Sequence, residues 1–166
     1  MDDLKLIAFD GEDLTTLSAH MQDAIIRVGD IAYLPRERRF VAIANRFDWQ
    51  SALDGVDTPK SEIKRRRTAL RFEYVNSARL LKIKREASDA VLELLNIEFN
   101  EDEAPNGTIT LNFSGGGAIE LKVECIEAQL SDLGPVWRAS SVPAHSDDDA
   151  KENAHEDEAK NEPVNE

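Results

Sequence analysis

The sequence is poor in the residues that metal centres and disulfide frameworks use. Among 166 residues there are one cysteine, Cys125, and three histidines, so neither an internal disulfide nor a four-ligand zinc cluster is expected. We therefore predict no metal site and no cofactor. No apolar run approaches the roughly 20 residues that span a bilayer, and Met1–Lys5 lacks the features of a secretion signal. These absences predict a cytoplasmic protein that does not enter a membrane.

Basic residues are also scarce relative to acidic ones. The chain carries 33 acidic and 20 basic residues, which gives a formal net charge of −13. From His145 to Glu166 nine acidic residues and two lysines give −7, and Val164 is the only large apolar residue there. Such a segment buries too little apolar surface to offset the entropy lost on ordering. We predict a single domain over residues 1–138 and a disordered acidic tail over residues 139–166.

The N-terminal part of the sequence predicts a strand followed by a helix. Leu4–Phe9 is apolar on both faces and is interpreted as a first strand. Asp10 is a suitable N-cap for a helix over residues 12–23, with acidic residues in its first turn. Leu14, Leu17, Met21 and Ala24 recur at helical spacing and predict the buried face of that helix.

Alternating apolar and polar residues predict strands in most of the remaining domain. The predicted strands cover residues 25–34, 40–47, 65–75, 78–85, 91–99, 107–113 and 118–123. Residues 48–62 are interpreted as a long loop. Ile126, Leu130 and Leu133 have i, i+4, i+7 spacing and predict a short C-terminal helix that ends at Gly134–Pro135.

Together these elements predict an α+β domain of about 7–8 strands, mainly antiparallel because short connections join successive strands. In residues 65–75, Leu70, Phe72 and Tyr74 are expected to point inward. A pleckstrin-homology-like split barrel, closed by the C-terminal helix, is the favoured arrangement. An open sheet packed by both helices is the chief alternative.

The candidate catalytic groups are few, and each has an ordinary structural interpretation. His20 lies at the edge of the apolar helix face with Asp23 three residues on, a common surface arrangement. Cys125 follows an alternating strand, where cysteines usually belong to the core, and a reactive thiol would need a depressed pKa. Ser114–Gly117 joins two strands without a following lysine, so a hairpin turn is favoured over a phosphate loop.

A basic cluster is the strongest binding signal in the sequence. We expect segments 65–75 and 78–85 to pair with their apolar residues pointing inward. Their cations would then share one solvent-exposed face of the sheet. The strand and turn over residues 35–47 could extend this face. We predict an anion- or partner-binding surface made of Arg36, Arg38, Arg39, Arg46, Arg67, Arg71, Lys82 and Lys84. The alternative is a solvated sheet face balanced by neighbouring glutamates.

The acidic tail has the opposite charge to this predicted surface. A tail that folds back over the cations would compete with an anionic partner. Under this hypothesis, deletion of residues 145–166 strengthens anion binding.

Five separated segments, Leu4–Ala8, Ala19–Ala24, Tyr33–Phe40, Asn45–Trp49 and Glu124–Pro135, resemble an uncharacterised bacterial family of small proteins that is catalogued as a domain of unknown function. The resemblance covers residues 3–145 and leaves out the acidic tail. It implies one cytoplasmic bacterial domain and no assigned activity, so it transfers no catalytic residues.

The function itself is not readable from these patterns. A noncatalytic binding or adaptor domain that recognises a protein or an anionic ligand through the basic surface is the leading hypothesis. A small enzyme that uses His20, Cys125 or surface carboxylates is the second. The third is an RNA-associated factor that uses Arg65–Arg85, although overall acidity and the lack of interleaved outward aromatic residues disfavour nucleic acid.

Overall fold

The computed structural model describes residues 3–49 and 64–134, together with the backbone of residues 137–138. Its elements in chain order are β1 (Lys5–Ala8), α1 (Gly11–His20), β2 (Ile25–Leu34), β3 (Arg39–Phe47), β4 (Lys64–Phe72), β5 (Val75–Leu81), β6 (Val91–Glu101), β7 (Gly107–Phe113), β8 (Ala118–Val123), β9 (Ala128–Asp132) and β10 (Trp137–Arg138). The predicted loop beyond Trp49 and the predicted acidic tail lie outside the described residues.

The first helix forms where its capping and apolar spacing predict it. Asp10 is the N-cap, and its carboxylate accepts a hydrogen bond of 2.8 Å from the Asp13 backbone N–H. Leu14 and Leu17 are buried, as are Met21 and Ala24 just after the helix. The α1 helix packs its apolar face against β1 and β6. No helix within the described ranges is long and apolar enough to cross a membrane.

The strands form one antiparallel sheet whose order is β1-β9-β4-β3-β2-β6-β7-β8-β5, with β10 also paired to β4. The end strands β1 and β5 do not pair with each other, so the sheet is not closed. Strand β2 joins the two halves because Ile25–Arg27 pairs with β6, whereas Ile31–Leu34 pairs only with β3. We call β1, β9, β4 and β3 the first half and β6, β7, β8 and β5 the second half.

Both halves bury one face in a common core. Phe40, Phe72 and Leu130 of the first half and Ile109 and Leu121 of the second belong to the same apolar cluster. The predicted hairpin of β7 and β8 is confirmed, and a 3₁₀ turn at Ser114–Gly116 connects the two strands. Gly115 and Gly116 have φ of 88° and 95°, which only glycine adopts without cost, so this segment is a turn.

The predicted C-terminal helix is wrong, because Leu130 lies in strand β9, and Ile126 and Leu133 lie just outside it. Ala128, Leu130 and Asp132 face the core at a period of two. The buried Asp132 interrupts the apolar alternation in the sequence, so the helical spacing of the remaining apolar residues was misleading. The comparison with a pleckstrin-homology-like barrel rested on that helix.

The predicted pairing of segments 65–75 and 78–85 is also wrong. Strand β4 lies between β3 and β9, whereas β5 pairs with β8 in the second half. Leu70 and Phe72 are buried as predicted, but Tyr74 is 39% exposed in a turn with a φ of 59°. The chain therefore leaves the first half after Phe72 instead of returning beside β4.

Candidate functional site

The eight predicted binding cations do not share one face. Arg39, Arg67 and Arg71 point outward from the first half, and Arg46 points inward. The remaining four lie at the β2–β3 turn or after β5: Arg36, Arg38, Lys82 and Lys84. Because β4 and β5 are in different halves of the sheet, the predicted continuous surface from Arg67 to Lys84 is not formed.

The prediction that Arg46 belongs to a solvent-exposed surface is wrong. Its side chain is 3% exposed, and its Nε and Nη2 atoms donate to the two carboxylate oxygens of Asp132 at 3.0 and 2.8 Å. Asp132 also accepts a 2.7 Å hydrogen bond from the backbone N–H of Leu4. Both Asp132 oxygens thus accept hydrogen bonds, and this buried carboxylate joins β3 and the chain at Leu4 to β9.

A second buried arginine extends this pair into a cluster. Arg66 is 1% exposed, and its Nε donates to Asp48 at 3.1 Å while Nη1 donates to the exposed Asp3 at 3.0 Å. Arg66 lies opposite Arg46 in the register of β3 and β4, and Thr68 lies opposite Asp132 in that of β4 and β9. We call Arg46, Arg66, Asp48 and Asp132 the inner ion cluster.

The inner ion cluster could have been found by extending the alternation of two strands. Phe40, Ala42 and Ala44 face inward along β3, and the next residue in that series is Arg46. Phe72, Leu70 and Thr68 face inward along β4, and the series continues to Arg66. A charged residue at an inward position needs a buried counterion, and Asp132 on β9 is that counterion.

His20 lies at the C-terminal end of α1 near the inner ion cluster. Burial first, and then the charge of Arg46, lower the pKa of its imidazole, while Asp132 and Asp48 act in the opposite direction. Its Nδ1 atom is buried and has no hydrogen-bond partner among the described residues. The neutral form of His20 is therefore favoured in the folded protein.

Cys125 lacks the environment of a catalytic nucleophile. Burial, Glu127 and Glu124 raise the pKa of its thiol, and Arg38 offsets this only in part. A thiol that stays protonated is a poor nucleophile. No group of three or more metal-ligating side chains is found in the part of the chain that the structure describes.

Five cations occupy outward positions on the first half and form what we call the basic face: Lys5, Arg39, Arg65, Arg67 and Arg71. The residues that pair with these cations on the neighbouring strands include the neutral residues Asn45, Gln129 and Ser131. Glu73, which follows β4, is one carboxylate within this part of the described surface. Burial lowers the pKa of Arg65, and the nearby carboxylates of Asp23 and Glu93 raise it. Cations on the basic face thus outnumber these three carboxylates by five to three.

Glu73 holds two of these cations in place. Its Oε2 lies 3.0 Å from Nε of Arg39 and 3.0 Å from Nε of Arg71. The first contact is a hydrogen bond, whereas the second is an ion pair without hydrogen-bond geometry, and Arg71 instead donates from Nη2 to Gln129 at 3.0 Å. One carboxylate shared by two guanidinium groups leaves their combined charge partly uncompensated.

The other three cations of the basic face have no ion pair with a described residue. Arg67 and Lys5 are exposed. Arg65 stacks its guanidinium 3.9 Å above the ring of Phe47 and donates from Nη1 to the carbonyl of Asn45 at 3.0 Å. Arg67 and Lys5 are thus the cations most available to an incoming anion.

Apolar side chains lie among the charges of the basic face. Ile43 is paired with Ala69 across β3 and β4, and Val41 is paired with Arg71. These three apolar residues are half-buried, and Ile7 at the β1 edge is 49% exposed. The face therefore offers apolar contact area surrounded by positive charge, as many protein interfaces do.

The remaining predicted cations lie away from the basic face. Arg38 forms an ion pair with Glu124, and its guanidinium lies 5.5 Å from the ring centroid of Tyr74. Arg36, Lys82 and Lys84 are exposed and have no ion pair with a described residue. They offer isolated charges and not a shared surface.

The comparisons with known proteins give a family without an activity. Neither the curated proteins nor the solved structures provide a match. A family model described as protein of unknown function, DUF2948, matches residues 4–145, which include every described strand and α1. The match confirms the resemblance in the sequence and stops before most of the predicted acidic tail. The chain therefore belongs to the family of proteins of unknown function DUF2948.

Proposed function

We propose that this protein is a noncatalytic binding domain that recognises an acidic segment of a partner protein through the basic face. The observation that carries the proposal is a cluster of five cations against three carboxylates on one sheet face of a chain whose net charge is −13. Such a concentration of one sign opposes the overall charge and attracts a partner of the opposite sign.

A protein segment suits the basic face better than an isolated small anion. Val41, Ile43 and Ala69 supply apolar area, and Arg67 and Lys5 supply charges on either side of it. A peptide that carries both carboxylates and apolar side chains satisfies the two kinds of group together. The proposed site of action is the bacterial cytoplasm, which the family resemblance implies and with which a single cysteine is compatible.

The test uses the full chain and a fluorescein-labelled 15-residue peptide, rich in glutamate and containing two leucines, read by fluorescence anisotropy. The double variant Lys5→Glu with Arg67→Glu should bind the peptide about tenfold more weakly, because two exposed charge contacts become repulsive. The matched control, Lys84→Glu with Lys122→Glu, makes the same change in net charge away from the basic face. It should change the affinity by less than about twofold.

Two further arms separate this proposal from its competitors. The same peptide with every glutamate replaced by glutamine should bind poorly to the wild-type protein. A single-stranded RNA of 15 nucleotides tests the RNA hypothesis, for which about four phosphate contacts predict a log–log salt slope near −3. Tight RNA binding with that slope, or equal loss of peptide affinity in both double variants, contradicts the proposal.

The acidic tail is proposed as an internal competitor for the basic face. β10 pairs with Lys64 and Arg65 at the start of β4, so the chain passes beside the basic face before the segment that carries −7. Deletion of residues 145–166 should strengthen binding of the acidic peptide severalfold at low salt, and the gain should shrink as salt screens the charges. An unchanged affinity after deletion contradicts the competition.

A further inference from the structure

A groove lies between β2 and β5, two strands that do not pair with each other. It has a volume of about 380 Å³ and is lined by Val28, Ile31, Tyr33, Pro35, Phe40, Ala78, Leu80 and Arg85. We propose that this groove binds an amphipathic carboxylate, such as a medium-chain alkanoate, with its apolar part between the strands and its carboxylate on Arg85. This site is separate from the basic face and does not depend on the function proposed for it.

The groove exists because two strand edges face each other without pairing. From Ile31 onward β2 pairs only with β3, and β5 pairs only with β8. The Tyr33 hydroxyl donates to the Val75 carbonyl at 3.0 Å and fixes the two strands at this separation. Ile31 and Leu80 pack against the core yet remain partly exposed, so an apolar ligand would complete their burial.

Among the described residues that line the groove, Arg85 is the only charged one. It is exposed and has no hydrogen bond or ion pair with a described residue, whereas Arg79 on the preceding strand is neutralised by Glu120 at 2.8 Å. An apolar groove with an uncompensated guanidinium matches a ligand that has an apolar body and an anionic end. Because a guanidinium binds a carboxylate through two parallel hydrogen bonds, a carboxylate is the anion we favour.

Size and backbone chemistry favour a small molecule over an added peptide strand. A volume of about 380 Å³ is within the usual range of small-molecule pockets. A peptide strand would need free backbone groups at the edges of the groove. The N–H groups of Val28 and Gly29 already donate to Ala90 and Ser88, and that of Val75 donates to Arg38. These three donors are therefore unavailable to a peptide strand, and the volume is the stronger argument for a small molecule.

The experiment is a titration of the full-length protein with sodium decanoate below its micellar concentration, followed by calorimetry and by amide chemical shifts. Saturable binding is expected, with shifts at Ile31, Ala78 and Leu80. Octanoate should bind more weakly, by up to about fourfold for each methylene removed. Decan-1-ol, which lacks the charge, should bind at least about fivefold more weakly than decanoate.

Two variants and one control locate the site. Arg85→Gln should weaken decanoate binding about tenfold, because it removes the charge-assisted hydrogen bonds. Lys84→Gln removes an adjacent exposed cation that does not line the groove, and it should change the affinity by less than twofold. Ala78→Phe should fill the groove and abolish binding, with circular dichroism used to check that the fold is retained.

Three results would overturn the proposal. The first is the absence of saturable decanoate binding to the wild-type chain. The second is equal affinity of the Arg85→Gln and Lys84→Gln variants. The third is decanoate-induced shifts at residues outside β2 and β5. Shifts on the basic face would be one such result. The Arg85→Gln result does not depend on the folding of the Ala78→Phe variant.

Discussion

The arginines of β3 and β4 divide between two environments that differ in almost every physical respect. Arg46 and Arg66 face inward, are nearly inaccessible to water and are bonded to Asp132 and Asp48. The arginines of the basic face alternate with them along the same strands, and two of them, Arg39 and Arg71, share the carboxylate of Glu73. One strand thus carries guanidinium groups that stabilise the fold on one face and guanidinium groups available for recognition on the other.

The difference shows that burial, and not residue type, determines whether an arginine on these strands stabilises the fold or is available for binding. A buried ion pair removes two charges from water, so each partner becomes indispensable to the other once the fold exists. An exposed pair exchanges water contacts for a contact of similar strength and contributes little to stability. Changes in the inner ion cluster should therefore affect stability, and changes on the basic face should affect binding.

The largest effect is expected from Asp132→Asn. The substitution keeps the shape of the side chain but leaves Arg46 with no charged partner in a buried position, which should cost about 3–5 kcal/mol in the free energy of unfolding. The matched control is Asp89→Asn, which breaks an Arg–Asp pair of similar length, 2.9 Å, whose side chains are 52% and 93% exposed. The control should cost less than about 0.5 kcal/mol.

Urea denaturation followed by circular dichroism measures both free energies of unfolding. Equal losses in Asp132→Asn and Asp89→Asn would show that the inner ion cluster is not the stabilising element that its burial indicates.

An intermediate effect is expected from the pH dependence of stability through His20. Its pKa is lower in the folded protein than its ordinary value of 6.5, chiefly because of burial and then because of Arg46. The unfolded chain therefore binds a proton more readily, so the contribution of neutral His20 is complete above about pH 6.5 and is lost as the pH falls through the folded pKa. His20→Gln should flatten the decline in stability between about pH 7 and pH 5.

Thermal unfolding in a series of buffers provides the measurement for His20. His155→Gln, in the predicted acidic tail, is the control variant and should follow the wild-type profile. A profile for His20→Gln that matches the wild-type curve throughout would contradict the assignment.

The smallest effect on stability is expected from Glu73→Gln on the basic face. Its arginine partners are 37% and 41% exposed, so the loss should be below about 1 kcal/mol. The substitution also removes one negative charge from the basic face, and the glutamate-rich peptide should bind about twofold more tightly. Anisotropy titrations at low and high salt measure the change, and a weaker interaction would mean that Glu73 positions the arginines for the ligand.

Local patterns in the sequence were sufficient for the elements that depend on local chemistry. The Asp10 cap and the apolar spacing of Leu14 and Leu17 predicted α1, and the glycine turn predicted the hairpin of β7 and β8; both are confirmed. In each case, the residues that specify the element lie within a few positions of one another, so no information about distant strands was needed.

Long-range pairing was not predictable in the same way. Strand β9 inserts between β1 and β4, which are far from it in the sequence, and β5 crosses to the second half. The buried charges added to the difficulty, because Arg66 and Asp132 are polar residues at positions where alternation predicts apolar ones. Of the eight predicted cations, Arg39, Arg67 and Arg71 lie on the basic face, whereas the other five, among them Arg46 and Lys84, lie elsewhere.

The most direct test of the division between the two faces is a titration of isotope-labelled protein with the glutamate-rich peptide, followed by amide chemical shifts. Our account predicts shifts at outward positions of the first half, including Ile7, Ala69, Arg71 and Gln129, with little change in β6, β7 and β8. Shifts concentrated in the second half, or none at a saturating peptide concentration, would contradict the assignment of the basic face as the recognition surface.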